Sequence, residues 1–477
     1  VELTFRVHRG LELKTEGVDG DLLKGLKKAF TYSNPEFHKK ERFNVSTWNT
    51  PRFLCSYEDV GDTILFPRGG IGKLRKVLDE FGITNCKFID DRLELDTVEF
   101  ELSERAQPVT LRPDQEKLKA AIIQRENCLI RSATGSGKTE LIIDLIREIG
   151  QPSLVVVWSS GLLKQWVERI KLRWGWDEND IGIVGGGKKR IRPLTIAMQQ
   201  TLWKNAHEIA PHFGLIVGDE IQRWSSRTFQ ETISQFPARY RIGVSADERR
   251  KDRLEVLTHD AFGQVVAEIS REELIAQGKL CEVEILVVPT ENRIVELDQA
   301  PPQDRGQILA KLYTKIIGHL VQDRYRNNII SQIAGHEAHE KGRSIIIFTD
   351  RVNHARELSK LITGAESVPC GMCIGGPENR ELFEETTELL NNGTIKCAVG
   401  TSAVYQGIDI PRLTVGIVGT PTGNNQQLLE QQIGRLRRKF PGKIRGTLYY
   451  IWDRHIFPNH LRNLERWYGR DLVRVVE

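Results

Sequence analysis

The segment Ser132-Ala133-Thr134-Gly135-Ser136-Gly137-Lys138-Thr139 lies between a short apolar run, Cys128 to Ile130, and the amphipathic stretch Glu140 to Ile149. This order of strand, glycine-rich bend and helix restricts the possible folds more than any other feature of the chain. Glycines let backbone N–H groups turn toward an anion, and the following helix presents its positive end to the same point. Thr134, Gly135, Ser136 and Gly137 are therefore expected to cradle phosphates. Lys138 is expected to reach the β- and γ-phosphates, and the Thr139 hydroxyl to bind Mg²⁺. A bare Gly-Lys-Ser/Thr arises by chance in roughly a quarter of chains this long. The flanking strand and helix are what make it a nucleotide site.

The rest of the chain repeats that rhythm. From about 108 to 285, apolar runs (Cys128 to Ile130, Leu154 to Trp158, Thr195 to Ala197, Leu215 to Val217, Arg241 to Val244) alternate with amphipathic stretches, the pattern of βα units on a parallel sheet. It resumes at Ser344 to Phe348, Cys397 to Val399, Val415 to Val418 and Thr447 to Ile451. A polar stretch around Pro301-Pro302 separates the two runs. With 477 residues, more than one core is expected. The domains expected are a small basic module over 1–105, a first α/β domain over 106–285, a linker or helical excursion over 286–330, and a second α/β domain over 331–477. Hydrophobic residues at 39% and charged ones at 28% exclude a largely disordered or membrane-embedded chain. No apolar run approaches the roughly 20 residues that cross a bilayer. The start, Val1-Glu2-Leu3-Thr4, has no signal-peptide pattern, and seven scattered cysteines fit a reducing compartment. A cytoplasmic protein without a membrane partner is expected.

Two further constellations complete the chemistry. Leu215-Ile216-Val217-Gly218 runs directly into Asp219-Glu220-Ile221-Gln222. Two carboxylates at the end of a buried strand are costly unless a cation is near, and Mg²⁺–ATP supplies one. Asp219 is expected to hold the metal and Glu220 to orient and deprotonate the attacking water. Far downstream, Gln431-Gln432-Ile433-Gly434-Arg435-Leu436-Arg437-Arg438 places Arg435 and Arg438 at i and i+3, on one helical face. Arginines so distant from Lys138 make sense if two domains share the site and supply charge to the transferring phosphoryl group.

Together these segments resemble superfamily 2 helicases and translocases over about 108 to 455. The resemblance implies two tandem RecA-like parallel-sheet domains. In Leu111-Arg112-Pro113-Asp114-Gln115, Arg112 and Gln115 would form the adenine-reading segment. Thr195-Ile196-Ala197-Met198-Gln199-Gln200 resembles a nucleic-acid-contacting motif, with Thr195 and Gln200 as contacts. In Thr401-Ser402-Ala403-Val404-Tyr405-Gln406-Gly407-Ile408-Asp409, Gly407 and Asp409 would line the ATP cleft together with Gln431, and Thr401 would approach the nucleic-acid backbone. The chain departs from the family pattern at Ser132, at Gln222 (where the family has His or Asp) and at Asp247 in Ser245-Ala246-Asp247 (where it has Thr).

Within the superfamily, the Arg-Pro-x-x-Gln entry, Leu162-Leu163-Lys164-Gln165-Trp166 and Ser245 to Asp252 are most similar to XPB/UvsW-like and phage branch-migration helicases. Asn34 to Lys40, Ser46 to Arg52 and Leu65 to Gly70 resemble the small α+β DNA-recognition domain that precedes the motor there. Lys and Arg between 24 and 76 outnumber acidic residues eleven to five, interleaved with Phe37, Phe43, Trp48, Phe53 and Tyr57. Trp48 is the foremost candidate contact to a nucleic acid.

The implied function is an ATP-dependent DNA motor on duplex or branched DNA, with single strands also possible, in a bacterial or phage-infected cell. An RNA helicase and a slowly hydrolysing, ATP-gated binding switch are the alternatives. Cys370 and Cys373 have no second ligand pair, so no zinc site is expected.

Overall fold

The computed structural model describes residues 2–132, 136–224, 232–245, 254–269, 271–402, 404, 410–422 and 425–476. The chain divides into two compact units, Val1–Ser270 and Arg271–Glu477.

The first unit begins with β1 (Leu3–Val7), β2 (Leu11–Lys14), β3 (Thr31–Ser33), β4 (Phe53–Cys55), β5 (Glu58–Val60), β6 (Thr63–Phe66) and β7 (Cys86–Asp90). Five of them form one sheet in the order β5-β6-β2-β1-β7, while β3 and β4 pair separately. Alternation in Leu3-Thr4-Phe5 and Leu11-Glu12-Leu13 sends the apolar residues to one face. There they meet Leu22 and Leu26 of helix Gly20–Ala29 and Leu74 and Leu78 of helix Ile71–Glu80. Asp19 caps the first helix by accepting from the N–H groups of Asp21 and Leu22, each at 2.9 Å.

The same unit then builds an eight-stranded sheet. Its strands are β8 (Asn127–Ser132), β9 (Ser153–Val157), β10 (Gly182–Gly185), β11 (Lys188–Arg190), β12 (Leu194–Met198), β13 (Leu215–Gly218), β14 (Tyr240–Ser245) and β15 (Val265–Ile269). They run in the order β11-β10-β12-β9-β13-β14-β8-β15, and every neighbour is parallel except β10 and β11. Such strands are buried on both faces and read as continuous apolar runs; all five residues of β9 are buried. One apolar cluster lies under helix Lys138–Ile149, which contributes Leu141, Ile142, Leu145 and Ile146, and a second holds Phe213, Ile216, Trp224 and Phe262.

The second unit carries β16 (Glu282–Thr290), β17 (Ile345–Phe348), β18 (Cys370–Cys373), β19 (Cys397–Gly400), β20 (Val415–Val418), β21 (Arg445–Asp453) and β22 (Val473–Val475). They form a parallel sheet in the order β18-β19-β17-β20-β21-β16-β22. The stretch after β16 contains helices Arg305–Leu320 and Arg324–His339. Leu297, Ile316, Ile317 and Leu320 pack there on Ile456 and Phe457. Two parallel-sheet α/β domains behind a small α+β module are thus the architecture of this chain. Among the described residues, no helix is long and apolar enough to cross a membrane.

The segment leaving the small module is part of the core of the first α/β domain. Phe100 is 3% exposed and packs with Trp174 (ring centroids 5.3 Å) and Trp176 (6.1 Å). Val98 N–H donates to Gly150 O at 2.7 Å, and Ser103 N–H to Trp174 O at 2.9 Å. Phe100→Ala should therefore lower the stability of the first unit by about 3–5 kcal/mol, the usual cost of emptying a buried aromatic site. Urea denaturation followed by tryptophan fluorescence measures it, and an unchanged midpoint would show that the segment only drapes over the surface.

Candidate active site

The sheet order explains how residues far apart in sequence meet. β13, β14 and β8 are neighbours, so their carboxyl ends deliver Asp219, Ser245 and the phosphate loop to one edge, where open α/β sheets bind ligands. The loop's own bend is visible at Gly137, whose φ of 86° lies in the left-handed region where a Cβ is unfavourable. Helix Lys138–Ile149 starts immediately after it. Lys138 Nζ donates to Ser132 O at 2.8 Å, and the hydroxyls of Ser132 and Ser136 are 2.5 Å apart. Ser132, the departure from the family pattern, therefore braces the loop from inside. Thr139 follows on the first helical turn and is partly exposed. Thr134 and Gly135 lie outside the described residues.

Arg112 and Gln115 hold the same loop from the other side. Gln115 Nε2 donates to the carbonyls of Ser136 (3.4 Å) and Gly137 (3.3 Å), and its Oε1 accepts from Arg112 N–H at 3.1 Å. Arg112 donates to Ser136 O at 3.1 Å and pairs with Asp114 at 2.9 Å. Gln115 is only 4% exposed, so its position is set by the phosphate loop.

Asp219 and Glu220 stand at the end of a strand with no polar side chain. Burial and the charge of Glu220 push the Asp219 carboxyl up to about 6, while the Trp166 indole N–H (2.9 Å) and the Lys138 charge pull it back. Glu220 itself has φ 50°, an uncommon conformation for a residue with a Cβ. The turn is held by Trp224 Nε1 donating to Asp219 O at 3.2 Å and by Glu220 N–H donating to Asp219 Oδ1 at 2.9 Å. Gln222 Nε2 donates to Glu220 Oε2 at 2.5 Å, and Ser245 Oγ donates to Gln222 Oε1 at 2.7 Å. A relay from the partly exposed Glu220 through buried Gln222 and Ser245 thus joins the ends of β13 and β14. Sequence reasoning named Gln222 only as a departure and assigned Trp166 no role. Tryptophan at 166 carried a signal nonetheless, since an indole on a buried helix face needs an acceptor.

The donor set fits a divalent cation. A buried carboxylate raised by desolvation, a second carboxylate beside it and a threonine hydroxyl on the adjoining helix turn are hard oxygen ligands. Among the described residues there is no group of three or more His, Cys, Asp or Glu side chains placed to hold a metal alone.

In the second unit, helix Gln426–Leu436 carries Gln431 and Arg435, both partly exposed. The helix ends before Arg438. Arg437 caps it and pairs with Glu430 at 3.0 Å, and Arg438 forms an isolated bridge with Leu280. The expectation of one helical face for Arg435 and Arg438 is therefore corrected: the pairing with Leu280 draws the chain out of the helix. Glu430 also accepts from Arg271 at 3.0 Å. Gly407 and Asp409 lie outside the described residues, as does Asp247.

The nucleic-acid candidates fare differently. Thr195 is fully buried within β12, and its hydroxyl is taken up by Arg192, accepting from N–H at 3.0 Å and donating to O at 2.7 Å. It cannot serve as a surface contact, because its strand is internal to the sheet. Gln200 is exposed, with Nε2 on Trp158 O at 3.0 Å. Thr401 is nearly buried at the end of β19; its hydroxyl accepts from Gly375 N–H at 3.3 Å. Trp48 is 83% exposed.

Comparison with known proteins agrees with this arrangement. Residues 108–249 match the family described as type III restriction enzyme, res subunit, and residues 326–439 match the helicase conserved C-terminal domain. A probable helicase of Escherichia phage T5 is 26% identical over 321 residues, covering 67% of this chain and 66% of the relative. A DNA 3'-5' translocase XPB2 of Sulfurisphaera tokodaii is 24% identical over 360 residues, covering 69% of this chain and 79% of the relative. The chain thus spans just under two thirds of the phage relative's length. Among solved structures, a fragment of a putative HsdR subunit of a type I restriction enzyme from Vibrio vulnificus is similar in fold, with a TM-score of 0.55 and 15% identity, covering 76% of this chain and 67% of that one. The two domain matches together span more than half of the sequence, each on a parallel sheet whose strand ends carry the motifs, and the chain belongs to the superfamily 2 helicases and translocases, XPB-like in its relatives.

Proposed function

We propose that this chain is an ATP-driven motor that moves duplex or branched DNA. The relay from Glu220 through Gln222 to Ser245 carries the reading, because it ties the water-activating carboxylate to a second strand end. In this scheme the backbone at Ser136 and Gly137 and the Lys138 ammonium bind the triphosphate, Arg112 and Gln115 brace that loop, and Asp219 with Thr139 hold Mg²⁺. Bound there, Mg²⁺ neutralises charge on the β- and γ-phosphates. Glu220 accepts the proton of the attacking water, and Gln222 fixes that carboxylate's orientation. Arg435 and Arg438 would supply positive charge to the transferring phosphoryl group.

The amino-terminal module supports DNA as the substrate. Phe43, Trp48 and Phe53 are each more than half exposed on a tip that is built, not loose. Lys40 Nζ donates to Thr50 Oγ1 at 2.6 Å, Asn34 Nδ2 to Pro51 O at 2.8 Å, and Val45 N–H to Lys40 O at 2.9 Å. Lys39, Arg42 and Arg52 flank it. Exposed rings beside cations suit unpaired bases and phosphates, as found where strands branch. Remodelling of forks or four-way junctions is the activity this surface would direct. ATPase rates with no nucleic acid, single strand, duplex, RNA and a four-way junction test the reading. Equal stimulation by RNA would favour the RNA helicase, and none by any of them the binding switch.

Three outcomes are expected. Lys138→Ala should lose nucleotide affinity, Glu220→Gln should bind ATP yet hydrolyse it poorly, and Arg435→Ala should cut turnover by about 10³-fold or more; wild-type turnover in Glu220→Gln refutes the role of that carboxylate. The second outcome follows from the raised Asp219 carboxyl. The folded protein keeps a proton there up to about pH 6, so apoprotein stability from this group falls as pH rises from about 4 to about 6. Binding of Mg²⁺–ATP should release that proton near pH 6 and weaken as pH drops below it. Calorimetry in two buffers of different ionisation enthalpy counts the proton, and Asp219→Asn should abolish the release. Thirdly, Trp48→Ala should weaken junction binding by about 5- to 150-fold, the range for one lost base stack, in a fluorescence anisotropy titration; unchanged affinity would remove Trp48 from the interface.

A further inference from the structure

The module and the motor domain of the first unit are joined by groups that are charged and buried. Asp260, on helix Glu255–Phe262 of the motor domain, is 1% exposed. Its carboxylate receives three donors, all from the module: Tyr32 Oη at 2.6 Å, Ser56 Oγ at 2.7 Å and Lys73 Nζ at 2.6 Å. Those donors come from β3, from the end of β4 and from helix Ile71–Glu80, so one carboxylate gathers three elements of the module. Arg68, 3% exposed, crosses the other way and donates to the carbonyls of Ala238 (2.6 Å) and Arg239 (2.8 Å) and to Asn127 Oδ1 (2.5 Å). Gly69 lies so close to the helix end that a Cβ there would fall 2.3 Å from His259 O and from Gly263 N.

The helix that carries Asp260 also reaches the hydrolysis machinery. Two residues on, the Phe262 ring packs against the glycines of β13 and β14. A Cβ on Gly218, the residue before Asp219, would lie 3.1 Å from Phe262 Cζ, and one on Gly243 would lie 2.9 Å from Cγ. Ile221 and Trp224 share the same apolar cluster. Thr258 and His259 line a small cavity together with Gln222 and Ser245. An unbroken path of packed groups therefore runs from Tyr32, Ser56 and Lys73 through Asp260 and Phe262 to Gly218 and the Glu220–Gln222–Ser245 relay.

We infer that Asp260 is a positioning residue through which the amino-terminal module governs ATP hydrolysis: DNA held by the module raises turnover because the module and the helix Glu255–Phe262 move as one body against the ends of β13 and β14. A buried carboxylate with three donors transmits displacement better than an apolar contact, since moving any one donor leaves an acceptor site on the carboxylate unmatched. Energetic coupling of this kind needs groups whose arrangement both sites bias. The inference rests on the motor reading above.

Asp260→Asn and Tyr32→Phe in the full chain test it, the second removing one donor from a half-buried ring with little risk to folding. Wild type first establishes whether DNA stimulates hydrolysis; absence of stimulation would overturn the motor reading and this inference with it. If stimulation is present, both variants should keep basal turnover and the KM for ATP within about twofold. At saturating DNA, stimulation should fall at least fivefold in Asp260→Asn and severalfold in Tyr32→Phe. The double variant should lose no more than Asp260→Asn alone. Full stimulation at saturating DNA with only a weaker apparent DNA affinity would overturn the inference, because it makes the contact a simple mount. Equal loss of basal and stimulated turnover would overturn it too, by reducing Asp260 to a structural support. If Asp260→Asn fails to fold, Tyr32→Phe decides between the same outcomes.

Discussion

A carboxylate kept away from water at the end of a wholly apolar strand is the constraint around which the catalytic half of this protein is organised. Burying an unpaired charge costs several kcal/mol, and Asp219 stands next to a second carboxylate. The surrounding features all compensate. Trp166 donates from helix Ser160–Trp174, Trp224 ties the turn, and Lys138 supplies positive charge. What is left uncompensated appears as the raised Asp219 carboxyl, and a bound cation with its phosphates would neutralise it. The left-handed backbone at Glu220 belongs to the same arrangement, since it turns the chain sharply enough for Gln222 to fold back beneath Glu220.

A second set of buried charges does different work. Arg68, Arg241 and Asp260 meet where the module docks, and apolar residues of similar size would hold two surfaces together at least as tightly. Arg241 donates to Phe236 O (2.6 Å), Ala261 O (3.1 Å) and Arg9 O (3.1 Å), so it terminates backbone from three separate segments. Burial pushes its guanidinium down to about 9. Groups this directional fix one orientation of the module, because any slip leaves a buried donor or acceptor unmatched. An orientation fixed in this way is what a DNA-reading surface needs if its load is to be felt at the nucleotide.

The nine strands that carry the motifs were legible in sequence, since parallel strands buried on both faces are written as apolar runs. The phosphate loop and the Asp-Glu pair were legible because their spacing is local. What escaped were features that depend on a partner far along the chain. Arg68 and Lys73 count as basic surface in any tally of charges, yet one is buried against residues about 170 positions away and the other is held by Asp260. Thr195 fits a surface motif by its letters, but its hydroxyl closes a turn on Arg192 three residues before it. Arg438 sits at helical spacing from Arg435, and only the bridge to Leu280 shows that the helix has already ended. Asp260, with no motif around it, offered no signal at all.

Gln222 shows how a departure from a family pattern can preserve its geometry. A neutral histidine ring has one N–H donor and one acceptor nitrogen. The glutamine amide offers the same pair and uses both, donating to Glu220 and accepting from Ser245. The two differ in their protons. A histidine at that place would titrate near neutrality and, once charged, could only donate, which would break the link to Ser245 and pull on the Glu220 carboxylate. An amide keeps its donor and its acceptor at every pH the protein meets. Titration of residue 222 therefore cannot break the relay between β13 and β14, and the Asp219 carboxyl at the same strand end is pushed up to about 6 by burial and the Glu220 charge. In the proposed scheme, acidification acts first on cation and phosphate binding at Asp219, while the amide at 222 keeps both of its links.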